Sequence, residues 1–484
     1  MEFAILIFYG FLTLLLFSYN CAQLSLVGNY WRKRSQKEKK TLPDQTVPLP
    51  FVTIQLPVYN ERYVIERLIE AIAALDYPPN RFEVQILDDS TDETTDLIAR
   101  KATHYQSKGI QIHHIRRSNR VGFKAGALAY GLASAQGDFI AIFDADFLPQ
   151  PNFLKKTLPS FTHEKIGVVQ TRWGHLNQSY SILTQLQAFG LDGHFIIEQG
   201  GRNANGHFIN FNGTAGIWRK SCITDAGGWE ADTLTEDLDL SYRAQTRGWQ
   251  FVYLEQVETP AELPVTMPAL KSQQYRWMKG AAECARKNLL NVFRNRSLKL
   301  STKIHAAFHL LNSGIFVVLL LMALISLPVL FIIHQSPEYS YLLGFFRFFP
   351  ANLLMLLIFY WAAHRGRKSI TSLLWQIPVF LTVIMGLSLH NAIAALEGYF
   401  GKKTPFVRTP KWGIIEKKDG WQRKNYLVKG INLITVTELL LTVYFAFGIG
   451  LGLYWHAYQM LALHLMFTLG FGFIVFYSVK HSVS

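Results

Sequence analysis

The hydrophobic and polar positions divide the chain into regions of different pattern. Residues 3–27 are almost wholly apolar, and the last third holds four or five further apolar segments. These segments cover about 306–333, 341–363, 370–397, 428–455 and 456–478. Each exceeds the roughly 18–20 residues that a helix needs to cross a bilayer. We therefore predict an N-terminal transmembrane helix over 1–28 and a C-terminal transmembrane region over 306–484.

Between these regions, residues 48–265 alternate short apolar runs with helical patterns. The strand candidates are Val52–Pro57, Phe82–Leu87, Ile110–Ile115, Asp138–Asp144 and Ile166–Gln170. Helix candidates between them include Glu61–Leu75 and Glu93–Ser107. Strands that alternate with helices indicate βαβ units around a mostly parallel sheet, covered on both faces. The predicted fold class is an α/β domain joined to an α-helical transmembrane bundle.

Much of the excess positive charge lies beside the apolar segments. The chain has 48 Lys and Arg against 34 Asp and Glu, but only 17% of its residues are charged. The positive charge collects in a linker over 29–47, an amphipathic stretch over 266–305 and a loop over 401–427. Basic flanks of this kind orient membrane helices and mark the cytoplasmic side. The excess charge therefore indicates membrane lipid as a partner and gives no support for nucleic acid.

One apolar segment conflicts with a simple topology. The basic connection His364–Lys368 and the loop 401–427 should both be cytoplasmic. A single crossing by 370–397 would place them on opposite sides of the membrane. We therefore predict that this segment enters and returns, or that Leu389–Phe400 lies flat at the interface.

Carboxylates follow the predicted strands. Glu61 follows the first strand, Asp88 ends the second, and Asp144 and Asp146 come directly after the run Phe139–Phe143. Ligands of open α/β sheets bind at the carboxyl ends of the strands. Paired carboxylates suit Mg²⁺ or Mn²⁺, which bridge to a substrate diphosphate. A pair of capping aspartates is the alternative interpretation of this DxD motif.

Two further motifs lie downstream. Thr235-Glu236-Asp237 opens a helical run, where the acids either cap the helix or supply a general base. Gln273, Arg276 and Trp277 form a QxxRW motif. Arginine offers a planar donor fork for phosphate, and tryptophan offers a flat face for a sugar ring. An interfacial basic–aromatic pair is the alternative.

In this order, and between membrane segments, these motifs resemble those of the membrane-bound family 2 glycosyltransferases. The cellulose synthase and plant mannan synthase-like branch is the nearest match. Further similar stretches are Gly122–Leu128, Phe211–Gly216 and Ala269–Gln273. The resemblance covers nearly the whole chain. It implies a GT-A fold, a nucleotide-sugar donor of UDP-glucose or GDP-mannose type, a divalent metal, and inversion at the anomeric carbon.

The resemblance also implies roles for the donor-side residues. Glu61 and Asp88 would contact the nucleoside, and Lys124 would face the diphosphate. Asp144 would hold the nucleotide and, with Asp146, the Mg²⁺ or Mn²⁺ ion.

On the acceptor side, Asp237 would be the base that deprotonates the attacking hydroxyl. Gln273 and Trp277 would line the acceptor site, and Arg276 would contact the donor beside it.

The basic loop carries one more resemblance. Residues 406–411 are similar to the FxVTxK gating loop of cellulose synthase, with Arg408 in place of the central valine. Phe406, Thr409 and Lys411 would then form a gate over the donor. A solvated basic loop is the alternative.

The predicted function is that of an integral-membrane, inverting glycosyltransferase whose catalytic domain is cytoplasmic. It would extend a β-linked polysaccharide processively and move it through its own bundle, at a bacterial plasma membrane or a Golgi membrane. Transfer of one sugar to a lipid acceptor is the alternative within the enzyme class. A transporter with an accessory soluble domain is the alternative of another class, but its segments hold few ionisable residues, Glu438 being the main exception.

Overall fold

The computed structural model describes residues 1–36, 49–336, 338–339, 348–422 and 432–483. Within these ranges an α/β domain lies beside a bundle of apolar helices. One long helix, α1, precedes the α/β domain and runs over Glu2–Gln36.

The described residues of the α/β domain form a seven-stranded sheet in the order β3-β2-β1-β4-β6-β5-β7. The strands are β1 Val52–Val58, β2 Phe82–Asp88, β3 Ile112–Arg116, β4 Phe139–Ile142, β5 Ile166–His175, β6 Gly216–Arg219 and β7 Gln250–Ala261. Strand β6 runs antiparallel to both its neighbours, and the other pairings are parallel. The predicted mostly parallel sheet is confirmed. Strands β6 and β7 had no counterpart among the five predicted strands.

Helices cover the sheet because their apolar side chains recur at helical spacing. In the first helix after β1, Ile65, Leu68, Ile69 and Ile72 are all buried on one face. The helices of this domain are α2 Ile65–Ala73, α3 Thr94–Gln106, α4 Phe123–Ser134, α5 Phe153–Thr157, α6 Ile182–Asp192, α7 Gly200–Ala204, α8 Lys220–Asp225 and α9 Glu236–Thr246. Strands β1, β2 and β4 are parallel, so their carboxyl ends open at one edge of the sheet.

The remaining helices are α10 and α11, which follow the α/β domain, and the apolar helices of the bundle. They are α10 Met267–Arg294, α11 Leu300–Leu310, α12 Gly314–Gln335, α13 Phe348–His364, α14 Ile370–Gly386, α15 Ser388–Tyr399, α16 Leu433–Tyr454 and α17 Leu461–Val483. Among the described residues, four helices are long and apolar enough to cross a membrane, namely α1, α12, α16 and α17. Helix α13 is apolar but shorter, and part of the predicted segment 341–363 lies outside the described residues.

The segment predicted to make no simple crossing is broken in two. Helices α14 and α15 meet at Leu387 with a bend of 51°. Helix α15 packs closely on α10, since a Cβ added to Gly398 would lie 2.5 Å from the carbonyl oxygen of Lys279. Whether this segment re-enters or lies at the interface stays a prediction.

A buried ion pair joins α10 to the bundle. Lys271 Nζ on α10 lies 2.7 Å from Glu438 Oε2 on α16, and Glu438 is fully buried. The His390 ring on α15 is hydrogen-bonded to the Lys271 carbonyl oxygen at 2.8 Å. Removing one member of a buried ion pair costs about 3–5 kcal/mol. This pair therefore fixes α10, which carries the QxxRW motif, against the apolar helix α16.

Candidate active site

A cavity of about 190 Å³ opens where β1 and β4 end, and we call it the strand-end cavity. Its lining residues come from distant parts of the chain, from Pro57 to Lys411. The predicted site residues in its wall are Glu61, Lys124, Asp144, Asp146, Asp237, Gln273, Arg276, Trp277, Phe406, Thr409 and Lys411. Asp88 is the predicted residue that this cavity does not include.

The two carboxylates of the DxD motif each contact a lysine. Lys124 Nζ donates to Asp144 Oδ1 at 2.6 Å, and Lys411 Nζ donates to Asp146 Oδ2 at 2.6 Å. Lys124 also donates to the carbonyl oxygen of Gly213 at 2.9 Å. The hard carboxylate oxygens are the ligands that Mg²⁺ and Mn²⁺ prefer, and adjacent ammonium groups suit a diphosphate. The donor set therefore fits a metal–diphosphate complex.

Gly213 shows why a glycine stands in the middle of the Phe211–Gly216 stretch. Its φ is +79°, in the left-handed region that disfavours side chains. A Cβ here would also lie 2.9 Å from Asp237 Oδ2 and 3.4 Å from Lys124 Nζ. The absence of a side chain thus lets the chain pass close to both functional groups.

Asp237 lies in the first turn of α9, whose N-terminus faces the cavity. The Leu238 backbone N–H donates to its Oδ1 at 2.8 Å, and the helix dipole favours the negative charge. Burial in the cavity, followed by repulsion from Glu236, raises the pKa of Asp237 to about 7, although Lys124 opposes the shift. A carboxylate with a pKa near neutrality is suited to general-base catalysis.

The QxxRW side chains project from one face of α10, because residues three and four apart in a helix are neighbours. Gln273, Arg276 and Trp277 all line the strand-end cavity. Arg276 Nη2 donates to Thr409 Oγ1 at 2.6 Å, and its guanidinium lies 5.0 Å from the centroid of the Phe406 ring. This arginine therefore links the motif to the basic loop.

The basic loop contributes several side chains to the wall of the cavity. The Phe406 ring stacks on Phe123 at 5.3 Å, and Lys411 contacts the DxD motif as described above. Arg408, the departure from the gating-loop pattern, forms an ion pair with Glu61 at 2.7 Å. Burial raises the pKa of Glu61 to about 7, although Arg408 opposes the shift. The described part of the loop therefore reaches the site through several side chains.

Glu262 anchors the loop immediately after Lys411. Its two oxygens accept hydrogen bonds from the backbone N–H groups of Trp412 and Gly413, at 2.7 and 2.9 Å. Arg67 Nη2 also donates to Glu262 at 3.0 Å. Sequence analysis did not identify Glu262, because it follows β7 without any recognisable motif.

At the end of β2, the structure separates the two neighbouring aspartates. Asp88 is buried, and it contacts the His114 ring at 2.9 Å and accepts from the Ser90 N–H at 2.8 Å. Asp89, in contrast, lines the cavity and pairs with Arg117. The nucleoside role of Asp88 stays a prediction, and Asp89 is the carboxylate that the structure places at the cavity wall.

An arginine–tyrosine stack forms another part of this wall that sequence analysis did not find. The Arg120 guanidinium lies 3.3 Å from the centroid of the Tyr59 ring. The signals were present, since Tyr59 precedes Asn60-Glu61 and Arg120 precedes the Gly122–Leu128 stretch.

Two more cavities lie between the strand-end cavity and the apolar helices. The middle cavity, of about 310 Å³, shares with it Trp173, Asp237 and Trp277. The bundle cavity, of about 260 Å³, lies between apolar helices and shares Asn312 and Phe380 with the middle cavity. Neighbouring cavities therefore share lining residues, and we call this series of three adjoining cavities the path.

One acidic cluster lies outside this path. Glu230, Asp232 and Asp239 are the group whose ligand atoms approach closely enough for a metal, among the described residues. The Lys287 ammonium lies 2.5, 2.8 and 3.1 Å from their carboxylates. The cluster is therefore an ion network around a lysine.

Comparisons with known proteins agree with this geometry. Residues 50–280 match the family described as glycosyltransferase like family 2. The range includes the whole sheet and the QxxRW motif. Residues 50–280 therefore match a family 2 glycosyltransferase domain, and apolar helices that could cross a membrane lie on both sides of this range.

Plant enzymes are among the similar curated proteins. The chain is 42% identical over 277 residues to the probable glucomannan 4-beta-mannosyltransferase 4 of Oryza sativa subsp. japonica, covering 56% of this chain and 50% of that protein. It is 39% identical over 293 residues to the glucomannan 4-beta-mannosyltransferase 2 of Arabidopsis thaliana, covering 58% and 55%. The chain thus spans about half the length of the curated relatives that it matches.

A solved structure shows the same fold. It is the mannosyltransferase PcManGT from Pyrobaculum calidifontis in complex with GDP-Man and Mn²⁺, with 18% sequence identity and a TM-score of 0.50. The match covers 81% of this chain and all of that one. The predicted GT-A fold is confirmed.

Proposed function

We propose that the protein transfers a hexose from a nucleotide sugar to a hydroxyl of a β-linked glycan, with inversion at the anomeric carbon. The observation that carries this proposal is the position of Asp237. Its carboxylate lines both the strand-end cavity and the middle cavity. A base at this junction stands where a donor in one cavity meets an acceptor in the other.

Direct displacement requires a base at the acceptor and positive charge at the leaving diphosphate. In the proposed reaction, Asp237 takes the proton of the acceptor hydroxyl while the oxygen of that hydroxyl attacks the anomeric carbon and displaces the diphosphate. Lys124 and Arg276 lie on the same cavity wall and stabilise the charge that develops on the diphosphate. Trp277 offers a ring on which the acceptor sugar stacks.

Asp144 and Asp146 would hold the Mg²⁺ or Mn²⁺ ion in this proposal. The metal would supply Lewis-acid neutralisation of the diphosphate when bound. The Mn²⁺ in the Pyrobaculum structure belongs to that protein, but its presence with GDP-Man supports the same donor class here. The names of the plant relatives favour mannose as the sugar, with UDP-glucose as the second donor to test.

The membrane arrangement is also a proposal. The catalytic domain would be cytoplasmic, since Arg32 and Lys33 lie at the domain end of α1. The series of adjoining cavities from the strand-end cavity to the bundle cavity supports entry of acceptor or product between the membrane helices. Processive extension with passage through the bundle, and transfer to a lipid, are the two candidates for this path.

The test is sugar transfer by purified protein in lipid nanodiscs. Wild-type protein, given GDP-mannose or UDP-glucose with Mn²⁺ and a manno-oligosaccharide, should release nucleoside diphosphate and form a new β-linkage. Asp237→Asn should lower transfer by about 10²–10⁴-fold, as expected for loss of a general base. Asp96→Asn, which changes an exposed aspartate on α3, is the control and should keep activity. Equal activity of Asp237→Asn and the control would reject the proposed function.

A further inference from the structure

The bundle cavity is lined mainly by apolar side chains, and its polar lining residues are neutral asparagines, tyrosines and a threonine. Among its described lining residues there is no Asp, Glu, Lys, Arg or His. Asn20 Nδ2 donates to Asn352 Oδ1 at 2.7 Å, so these two amides contact one another. Thr13 Oγ1 donates to the Tyr9 carbonyl oxygen at 2.9 Å. Asn20, Asn352 and Thr13 are thus bonded within the protein, whereas Asn312 Oδ1, where the lining is shared with the middle cavity, is buried without a partner among the described residues.

The middle cavity has the opposite chemistry. Its described polar side chains include Gln187, His194, Asn210, Asn212, Gln274, His309 and Asn312. Four buried atoms in its wall have no hydrogen-bond partner among the described residues, namely Trp173 Nε1, Gln187 Oε1, Asn210 Oδ1 and Asn312 Oδ1. Buried polar atoms without partners are costly, so a ligand with hydroxyl groups would be stabilised here.

The change of lining determines what each cavity accommodates. A hexose moved from the middle cavity into the bundle cavity would bury hydroxyl groups among apolar side chains, and most of them would lose their partners. A hydrocarbon chain in the same place has no hydrogen bonds to lose. Each methylene removed from water strengthens its binding about fourfold. The bundle cavity therefore favours a hydrocarbon chain over a sugar.

We infer that the acceptor is an amphiphile whose glycan end lies in the middle cavity and whose lipid chain lies in the bundle cavity. This inference rests on the proposed function, because that function requires the glycan end of the acceptor to reach Asp237. It assigns the bundle cavity to the anchor of the acceptor and favours the lipid-linked alternative over passage of a free glycan. Asn312, at the junction of the two cavities, would then face the linkage between sugar and chain.

Binding is tested first, because it does not require turnover. The probes are a dodecyl β-mannoside with a diazirine in its alkyl chain and the matching diazirine-labelled dodecanol, both used with full-length protein in nanodiscs. The inference predicts that the mannoside labels the bundle-cavity wall, for example Leu319 on α12, more strongly than the alcohol does. Equal labelling by both probes, or mannoside labelling confined to lipid-facing residues, would overturn it.

Acceptor kinetics supply the second test. The KM of methyl, hexyl and dodecyl β-mannosides should fall with chain length, and the dodecyl compound should have a KM at least tenfold below that of the methyl compound. Leu319→Trp fills the cavity and should abolish this difference. Leu321→Trp, two residues along α12 on an exposed position, should retain it. Equal KM values for all three acceptors would overturn the inference while leaving the proposed function intact, whereas absence of transfer to any acceptor would count against the proposed function.

Discussion

The strand-end cavity and the bundle cavity lie at the two ends of one path, yet they are built from opposite chemistry. In the first, the carboxylates of Asp144 and Asp146 contact lysines, and Glu61 pairs with an arginine. In the second, the described lining contains no ionisable group other than tyrosine. Charged side chains at the strand ends suit a charged diphosphate. An uncharged wall between apolar helices suits a neutral or apolar ligand. The difference indicates that donor and acceptor are recognised by separate parts of the molecule.

The largest expected effect comes from the DxD motif at the charged end. Asp146→Asn should lower transfer by about 10²–10³-fold, because a neutral amide is a poorer ligand for the metal beside the diphosphate. The measurement is the initial rate as Mn²⁺ is titrated, and the mutant should need more Mn²⁺ than wild type. Asp138→Asn, at the opposite end of β4 and exposed, is the matched control. An unchanged Mn²⁺ requirement in Asp146→Asn would remove the metal role from this residue.

The loop provides the next test of the charged end. Lys411→Ala should lower kcat by about tenfold or more, since it removes a cation that contacts Asp146 and lies beside the proposed diphosphate site. Lys418→Ala, in the same loop but highly exposed, should leave kcat unchanged. Both variants should be inserted into the membrane normally. If Lys411→Ala keeps full turnover, the loop is not a gate.

The pH dependence tests the junction between the two cavities. Because the pKa of Asp237 is raised to about 7, its carboxylate takes up a proton as the pH falls through neutrality. A protonated base is inactive, so kcat/KM should fall about tenfold per pH unit below about pH 7. Glu236→Gln removes the neighbouring negative charge, which lowers the pKa of Asp237 and should move this limb to lower pH. If this limb of the pH profile does not move, a group other than Asp237 is responsible for it.

The smallest expected effect comes from a neutral amide in the middle cavity. Asn210→Leu removes the buried, unpartnered Oδ1 and should raise the acceptor KM about fivefold, the value of one neutral hydrogen bond, with little change in donor KM. Asn152→Leu is a matched control, since its Oδ1 is also buried and unpartnered but it lies before α5, outside the three cavities. Equal effects on acceptor KM in both variants would mean that Asn210 does not contact the acceptor.

The alternation of strands and helices could be predicted because local patterns encode it. A run such as Val52–Val58 is mostly apolar and rich in β-branched residues, and a helix such as α2 repeats its apolar residues at helical spacing. Strands β6 and β7 were harder to predict, because β6 has only four residues and β7 contains exposed polar positions. Short or mixed segments depend on their neighbours in the sheet more than on their own composition.

The sequence by itself determined the order of the motifs and the chemistry that each can perform. It placed acids after strands, the proposed base at the start of α9 and the QxxRW motif on one face of α10, because these features depend on local spacing. Tertiary structure alone distinguished the buried Asp88 from Asp89 at the cavity wall. It also paired Glu61 with Arg408 and joined three cavities into a path. Such relations join residues far apart in the chain, and only packing of the whole fold fixes the distances between them.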